Sequence, residues 1–209
     1  MARVRVKICG VTRVEDALCA ARHGADAVGL VFHPASRRAV GAEAAAEIAR
    51  ALPPFVTAVA LFVDPEPEAV EAVLARVPVG LLQFHGGEPP ELCRRFGLPY
   101  LKAVPMGAGA DPREYARRYA DAAGLLLDSH GGGRTGGSGE AFEWGRVPGD
   151  LGRPVVLAGG LHPGNVAEAV RRVRPWAVDV SSGVESAPGV KDPARIEAFM
   201  QEVRRGEHP

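Results

Sequence analysis

Apolar and polar positions along the 209 residues fall into short runs separated by longer periodic stretches. The first run, "RVRVKICGVT", alternates: Val4, Val6 and Ile8 share one face of an extended strand, and Arg5, Lys7 and Cys9 share the other. Further short apolar runs at 27–32, 58–63, 80–85, 100–104, 124–128, 155–158 and 177–181 read as seven more strands. Between them, apolar residues recur at helical spacing over 14–23, 42–51, 67–76, 89–96, 111–120, 163–173 and 193–205, and poorly near 144–150. "GVTRVED" and "DPEPEAVEAV" put Thr, Asp and Pro where helices start, and "RHGAD" and "RRFGLPY" put Gly where they stop.

Strand starts recur roughly every 22 to 30 residues, the length of a βα unit. Eight such units with no composition break predict an α/β fold, a single-domain (β/α)₈ TIM barrel spanning residues 1–209. An open doubly wound sheet is the alternative, but it has fewer strands and a G-x-G-x-x-G turn after the first, which "KICGVT" lacks. In a barrel, Lys7 and Cys9 face the lumen, with Cys9 at the C-terminal rim where barrel enzymes keep their active sites.

Composition changes this picture little. The chain is 46% hydrophobic and 24% charged, with 25 basic and 25 acidic residues. Zero formal charge gives no electrostatic reason for nucleic acid or an anionic membrane as partner. No window approaches a membrane span, and the N-terminus enters a strand without a secretion signal. Three widely spaced cysteines (Cys9, Cys19, Cys93) fit a reducing cytoplasm, and Cys19 and Cys93 read as helix packing residues. Among the 25 basic residues only Lys7, Lys102 and Lys191 are lysines. In a chain that defaults to arginine, a retained lysine points to a need for a compact ammonium.

The chemistry gathers at strand ends. Strand two runs into His33 and a basic loop holding Arg37 and Arg38, strand three ends in Asp64, and strand four carries Gln83 and His85 on one face. The loops after strands seven and eight carry Gly159–Gly160 and Ser181–Ser182–Gly183, which can turn backbone N–H groups and hydroxyls onto a phosphate, as barrels often do there. The glycine-rich segment 131–139, following Asp128, reads as a mobile lid. Cys9 and Asp128 are the acid–base candidates. Lys7 is expected to favour the thiolate of Cys9 by proximity, and burial favours a protonated carboxyl, so the two suit proton transfer at two atoms of one substrate. Either Arg37 or Arg38 could clamp a carboxylate through two parallel hydrogen bonds.

Together, "KICGVT", "VFHPASRRAV", "LQFHG", "LLLD", "GGSGEAFEW", "LAGGLHPGNV" and "VDVSSGVESAPGVKD" resemble the phosphoribosylanthranilate isomerase family of tryptophan biosynthesis, in order and from Val6 to about Asp192. The resemblance implies a cofactor-free, metal-free barrel acting on a small phosphosugar, a monomer or homodimer with neither nucleic acid nor membrane as partner. It implies an Amadori rearrangement with Cys9 as general base and Asp128 as general acid. It selects Arg38 over Arg37 for the substrate's carboxylate and gives Gly159, Gly160, Ser182 and Gly183 to the phosphate. Lys7, Gln83, His85 and Asp179 take substrate-orienting roles. Two positions depart from the family: Arg37 stands where proline is usual, and Glu140 where lysine is frequent. Two other readings compete. One is a metal-dependent epimerase using His33, Asp64, His85 and Asp128; the other is a phosphosugar-binding barrel without catalysis.

Overall fold

The structure, a computed structural model, describes residues 3–129 and 143–208. Eight parallel strands close on themselves: β1 (Arg5–Cys9), β2 (Ala27–Val31), β3 (Thr57–Phe62), β4 (Leu81–Phe84), β5 (Tyr100–Pro105), β6 (Gly124–Asp128), β7 (Val155–Leu157) and β8 (Ala177–Val180). β8 returns to pair with β1, in the register Lys7↔Asp179 and Ile8↔Val180. The barrel expected from the strand spacing is therefore the fold.

The alternation read in the first strand sets the layers. Val4, Val6 and Ile8 join the large outer core, packed between strands and helices. The opposite face fills the lumen, where Leu101, Ala103, Leu126, Val156, Ala158 and Ala177 form one buried cluster. Nearer the C-terminal rim, Cys9, Val31 and Leu61 form a second cluster, so the thiol stands on an apolar floor. At the opposite end of β1, Arg5 lies over the Trp176 ring, 4.4 Å from its centroid.

The outer helices are α1 (Val14–His23), α2 (Ala42–Ala51), α3 (Pro67–Leu74), α4 (Pro90–Arg94), α5 (Pro112–Arg118), α6 (Val166–Val173) and α7 (Pro193–Glu207). Gly24 ends α1 in the left-handed region (φ 96°), and Asp192 caps α7 by accepting the N–H groups of Ala194 and Arg195. Three expectations need correction. The poor helix near 144–150 is a 3₁₀ turn, Trp144–Arg146. Thr12 does not cap α1; Arg13 holds that position, and the Thr12 hydroxyl instead donates to the Gly189 carbonyl at 2.6 Å. Between β8 and α7 the chain forms an unforeseen hairpin of β9 (Glu185–Ala187) and β10 (Val190–Lys191). The glycine-rich segment 131–139 and Glu140 lie outside the described residues. No helix among the described residues is long and apolar enough to cross a membrane.

Candidate active site

The C-terminal ends of the strands surround a cavity of about 930 Å³. Cys9 of β1, Gln83 and His85 at the end of β4, and Asp128 of β6 line it together with Arg38, Asp179, Gly159, Gly160 and Ser182. Lys7 and Gly183, both expected at the site, lie behind this lining.

Two glycines clear space at this rim, Gly29 for Cys9 and Gly10 for Arg38. Gly29 is the partner of Cys9 across the β1–β2 ladder. A Cβ there would sit 2.7 Å from Cys9 Sγ and 3.1 Å from Lys7 Cε, so any side chain would displace both. Gly10, with φ 70°, turns the chain just after Cys9, and a Cβ there would meet Arg38 Cδ at 2.4 Å. Sequence reasoning passed over both roles; the only signals were a glycine directly after the polar end of β1 and a glycine inside the apolar run of β2.

Lys7 favours the Cys9 thiolate, as expected, but it does not prevail. Burial pushes the thiol up, Lys7 opposes this, and Asp179 reinforces it, leaving the thiol above its ordinary value. Lys7 Nζ donates to Asp179 Oδ1 at 2.9 Å, and both side chains are buried. Burial alone would lower the Lys7 ammonium, but the charge of Asp179 and its hydrogen bond hold it above its usual range. Cys9 thus lies beside an ion pair, with burial opposing ionisation of its thiol.

Asp128 faces His85, with Nε2 3.1 Å from Oδ2. His85 Nδ1 lies 2.9 Å from Gln83 Nε2, completing a line Gln83–His85–Asp128 along the wall. Gln83 is fully buried, and its Oε1 has no hydrogen-bond partner among the described residues. The Gln83 amide can serve His85 through either its nitrogen or its oxygen, so the ring can be fixed in either tautomer. Below this wall, Lys102 Nζ donates to Glu88 Oε2 and to the Gly86 carbonyl, each at 2.5 Å. Glu88 in turn accepts the N–H groups of Asp64 and Gly86, fixing the turn that follows His85.

Arg38, rather than Arg37, is held in place. Its Nε and Nη2 donate to the two carboxylate oxygens of Glu185 at 2.8 and 2.7 Å. Arg37 is exposed at the cavity edge. Burial acting alone would raise the Glu185 carboxyl, but Arg38 and Lys191 hold it below its ordinary value. All three lysines of the chain are therefore buried in ion pairs: Lys7 with Asp179, Lys102 with Glu88, and Lys191 with Glu185.

On the same rim, Gly159 and Gly160 carry φ of 81° and 65° after β7. Ser182 and Gly183 open a 3₁₀ turn after β8. The first amides of such a turn have no acceptor within it and are available to an anion. His33, Asp64, His85 and Asp128 do not converge: among the described residues no group of three His, Cys, Asp or Glu side chains could hold a metal ion. Asp64 is directed instead to the Gly87 N–H at 2.7 Å.

The family model described as N-(5'phosphoribosyl)anthranilate (PRA) isomerase matches residues 6–202. The chain belongs to the phosphoribosylanthranilate isomerase family. It is 58% identical over 207 residues to an N-(5'-phosphoribosyl)anthranilate isomerase of Alcanivorax borkumensis, covering 96% of this chain and 95% of that one. The isomerase of Thermotoga maritima superposes with a TM-score of 0.88 at 44% identity, covering 96% of this chain and 98% of that one. A family structure in complex with reduced 1-(o-carboxyphenylamino)-1-deoxyribulose 5-phosphate matches with a TM-score of 0.84 at 43% identity, with the same coverage.

Proposed function

We propose that the chain converts N-(5-phosphoribosyl)anthranilate to 1-(o-carboxyphenylamino)-1-deoxyribulose 5-phosphate. Asp128 donates a proton to the furanose oxygen, the C1′–O bond breaks, and the anilino nitrogen's lone pair forms a C1′=N iminium. Cys9 then removes the C2′ proton, and the C–H electrons form a C1′=C2′ enolamine that tautomerises to the ketone. A general base and a general acid, each acting at one atom, account for both steps without a cofactor.

Each neighbour has a place in this scheme. His85, held by Gln83, orients the Asp128 carboxyl. Arg38 receives the anthranilate carboxylate, and the loops carrying Gly159, Gly160, Ser182 and Gly183 receive the phosphate. The raised thiol fits the order of events. Once the ring has opened, the iminium places a positive charge next to C2′, which favours thiolate at the moment a base is needed.

The observation that carries the proposal is the presence of Cys9 and Asp128 on one cavity wall-to-wall with Arg38 and the glycine–serine loops. The test is consumption of phosphoribosylanthranilate by the purified protein, followed as loss of its fluorescence, with and without a chelator. Saturable turnover unaffected by the chelator is expected, with inorganic phosphate as a competitive inhibitor. Tight binding of the reduced product analogue without turnover would instead establish a phosphosugar-binding barrel.

A further inference from the structure

Glu185 and Lys191 pair across the β9–β10 hairpin, and no step of the reaction above uses either. Both are buried, at 6% and 2% exposure. The Lys191 ammonium reaches Glu185 Oε1 at 2.8 Å, the Cys9 carbonyl at 2.5 Å and, on Ser181, the carbonyl at 3.2 Å and the hydroxyl at 3.5 Å, so all three of its N–H donors are satisfied. The β1–β8 ladder runs as far as Ile8↔Val180. Cys9 and Ser181 are the next residues on each strand, so Lys191 bridges the two carbonyls just where the ladder stops.

Glu185 occupies one edge of the Arg38 guanidinium, through Nε and Nη2. A guanidinium has five N–H donors in a fixed plane, so the Nη1–Nη2 edge remains for a second carboxylate. Arg38, Lys191 and Glu185 together carry one surplus positive charge beside the cavity, the complement of one further carboxylate.

We infer that Glu185, anchored by Lys191, is a positioning residue that presents the free edge of Arg38 to the aryl carboxylate of the substrate. The same ammonium links that recognition to the placement of Cys9. The inference rests on the proposed role of Arg38 and names what makes that role selective.

The experiment compares kcat/KM for phosphoribosylanthranilate with that for the phosphoribosyl adduct of aniline, which lacks the carboxylate. Wild-type enzyme should prefer the carboxylated substrate, and Arg38→Ala should abolish the preference. Glu185→Gln should reduce it by roughly ten- to a hundred-fold, mainly through KM, because the guanidinium loses a charged partner. A purely architectural role would depress both substrates equally and leave the ratio intact. Glu185→Asp keeps the charge beside Lys191 while shortening the reach to Arg38, and it carries the same test should Glu185→Gln unfold. If Arg38→Ala abolishes the preference while both Glu185 variants keep the wild-type ratio, the inference is overturned and the role of Arg38 stands. If wild-type enzyme shows no preference at all, the role of Arg38 falls and the inference with it.

Discussion

Cys9 stands between two ammonium groups that act on different atoms, Lys7 beside its sulfur and Lys191 on its carbonyl oxygen. In the proposed reaction the working pair, thiolate with carboxylic acid, has the same charge as thiol with carboxylate, so the two forms coexist across one plateau of the pH profile. An ordinary carboxyl ionises well below an ordinary thiol, and here the thiol is raised further. Any change that raises it more therefore lowers the plateau and moves the alkaline limb to higher pH. Lys7→Met removes the cation that opposes burial and leaves Asp179, which disfavours thiolate, so it should have this effect. Asp179→Asn should shift both features the other way, by about tenfold in rate for each pH unit of thiol shift. Profiles of kcat/KM against pH check both signs; an unmoved profile in Lys7→Met would remove Lys7 from the account of the thiol. At this scale the sequence foretold much: strand alternation brought out Cys9 and Asp128, and the scarcity of lysine marked three positions that are all buried and paired. It could not foretell the partners, since Lys7–Asp179 and Lys191–Glu185 depend on which strand ends meet when the barrel closes.

Among the elements, the turn between β4 and α4 depends on a pair whose side chains are both fully buried, Lys102 and Glu88. Lys102→Met leaves the Glu88 carboxylate buried without its cation, a loss expected to cost about 3–5 kcal/mol. Urea unfolding should show a much lower midpoint with an unchanged slope; a shift below about 0.5 kcal/mol would mean that Glu88 is satisfied by the backbone alone. The loops after β7 and β8 are similarly interlocked. A Cβ on Gly183 would lie 2.0 Å from the Leu161 carbonyl oxygen, so a bulky residue there disrupts packing as well as the proposed phosphate site. Ser182→Ala is the cleaner probe. It should raise KM by roughly tenfold with kcat nearly intact, because the phosphate is held alike in ground and transition states; an unchanged KM would take the hydroxyl out of the phosphate site. Element boundaries were legible where periodicity ran long, as in α1 and α2, whose bounds agree with the sequence reading. The start of α6 was not, because His162 and Asn165 take up local amides in a turn and delay the helix to Val166. β9 and β10 are too short for any period to register.

The whole molecule works by closure. Residues as distant in sequence as Lys7 and Asp179, or Arg38 and Glu185, become neighbours only because β8 pairs with β1 and the hairpin after it folds over the strand ends. The barrel itself was legible, since eight βα units at regular spacing leave few other arrangements. The room cleared by Gly29 and Gly10 was not, since a glycine in a strand or turn has many uses and only the contacts decide among them. The central claim, that this closed rim delivers Cys9 to C2′ as the base, is tested most directly by kcat for Cys9→Ser in the fluorescence assay. Binding of the reduced product analogue is measured on the same preparation. The account predicts a loss of about 10²- to 10⁴-fold in kcat with analogue affinity retained, since a hydroxyl is a far weaker base than a thiolate. A Cys9→Ser enzyme that binds the analogue and turns over at a near-normal rate would contradict it.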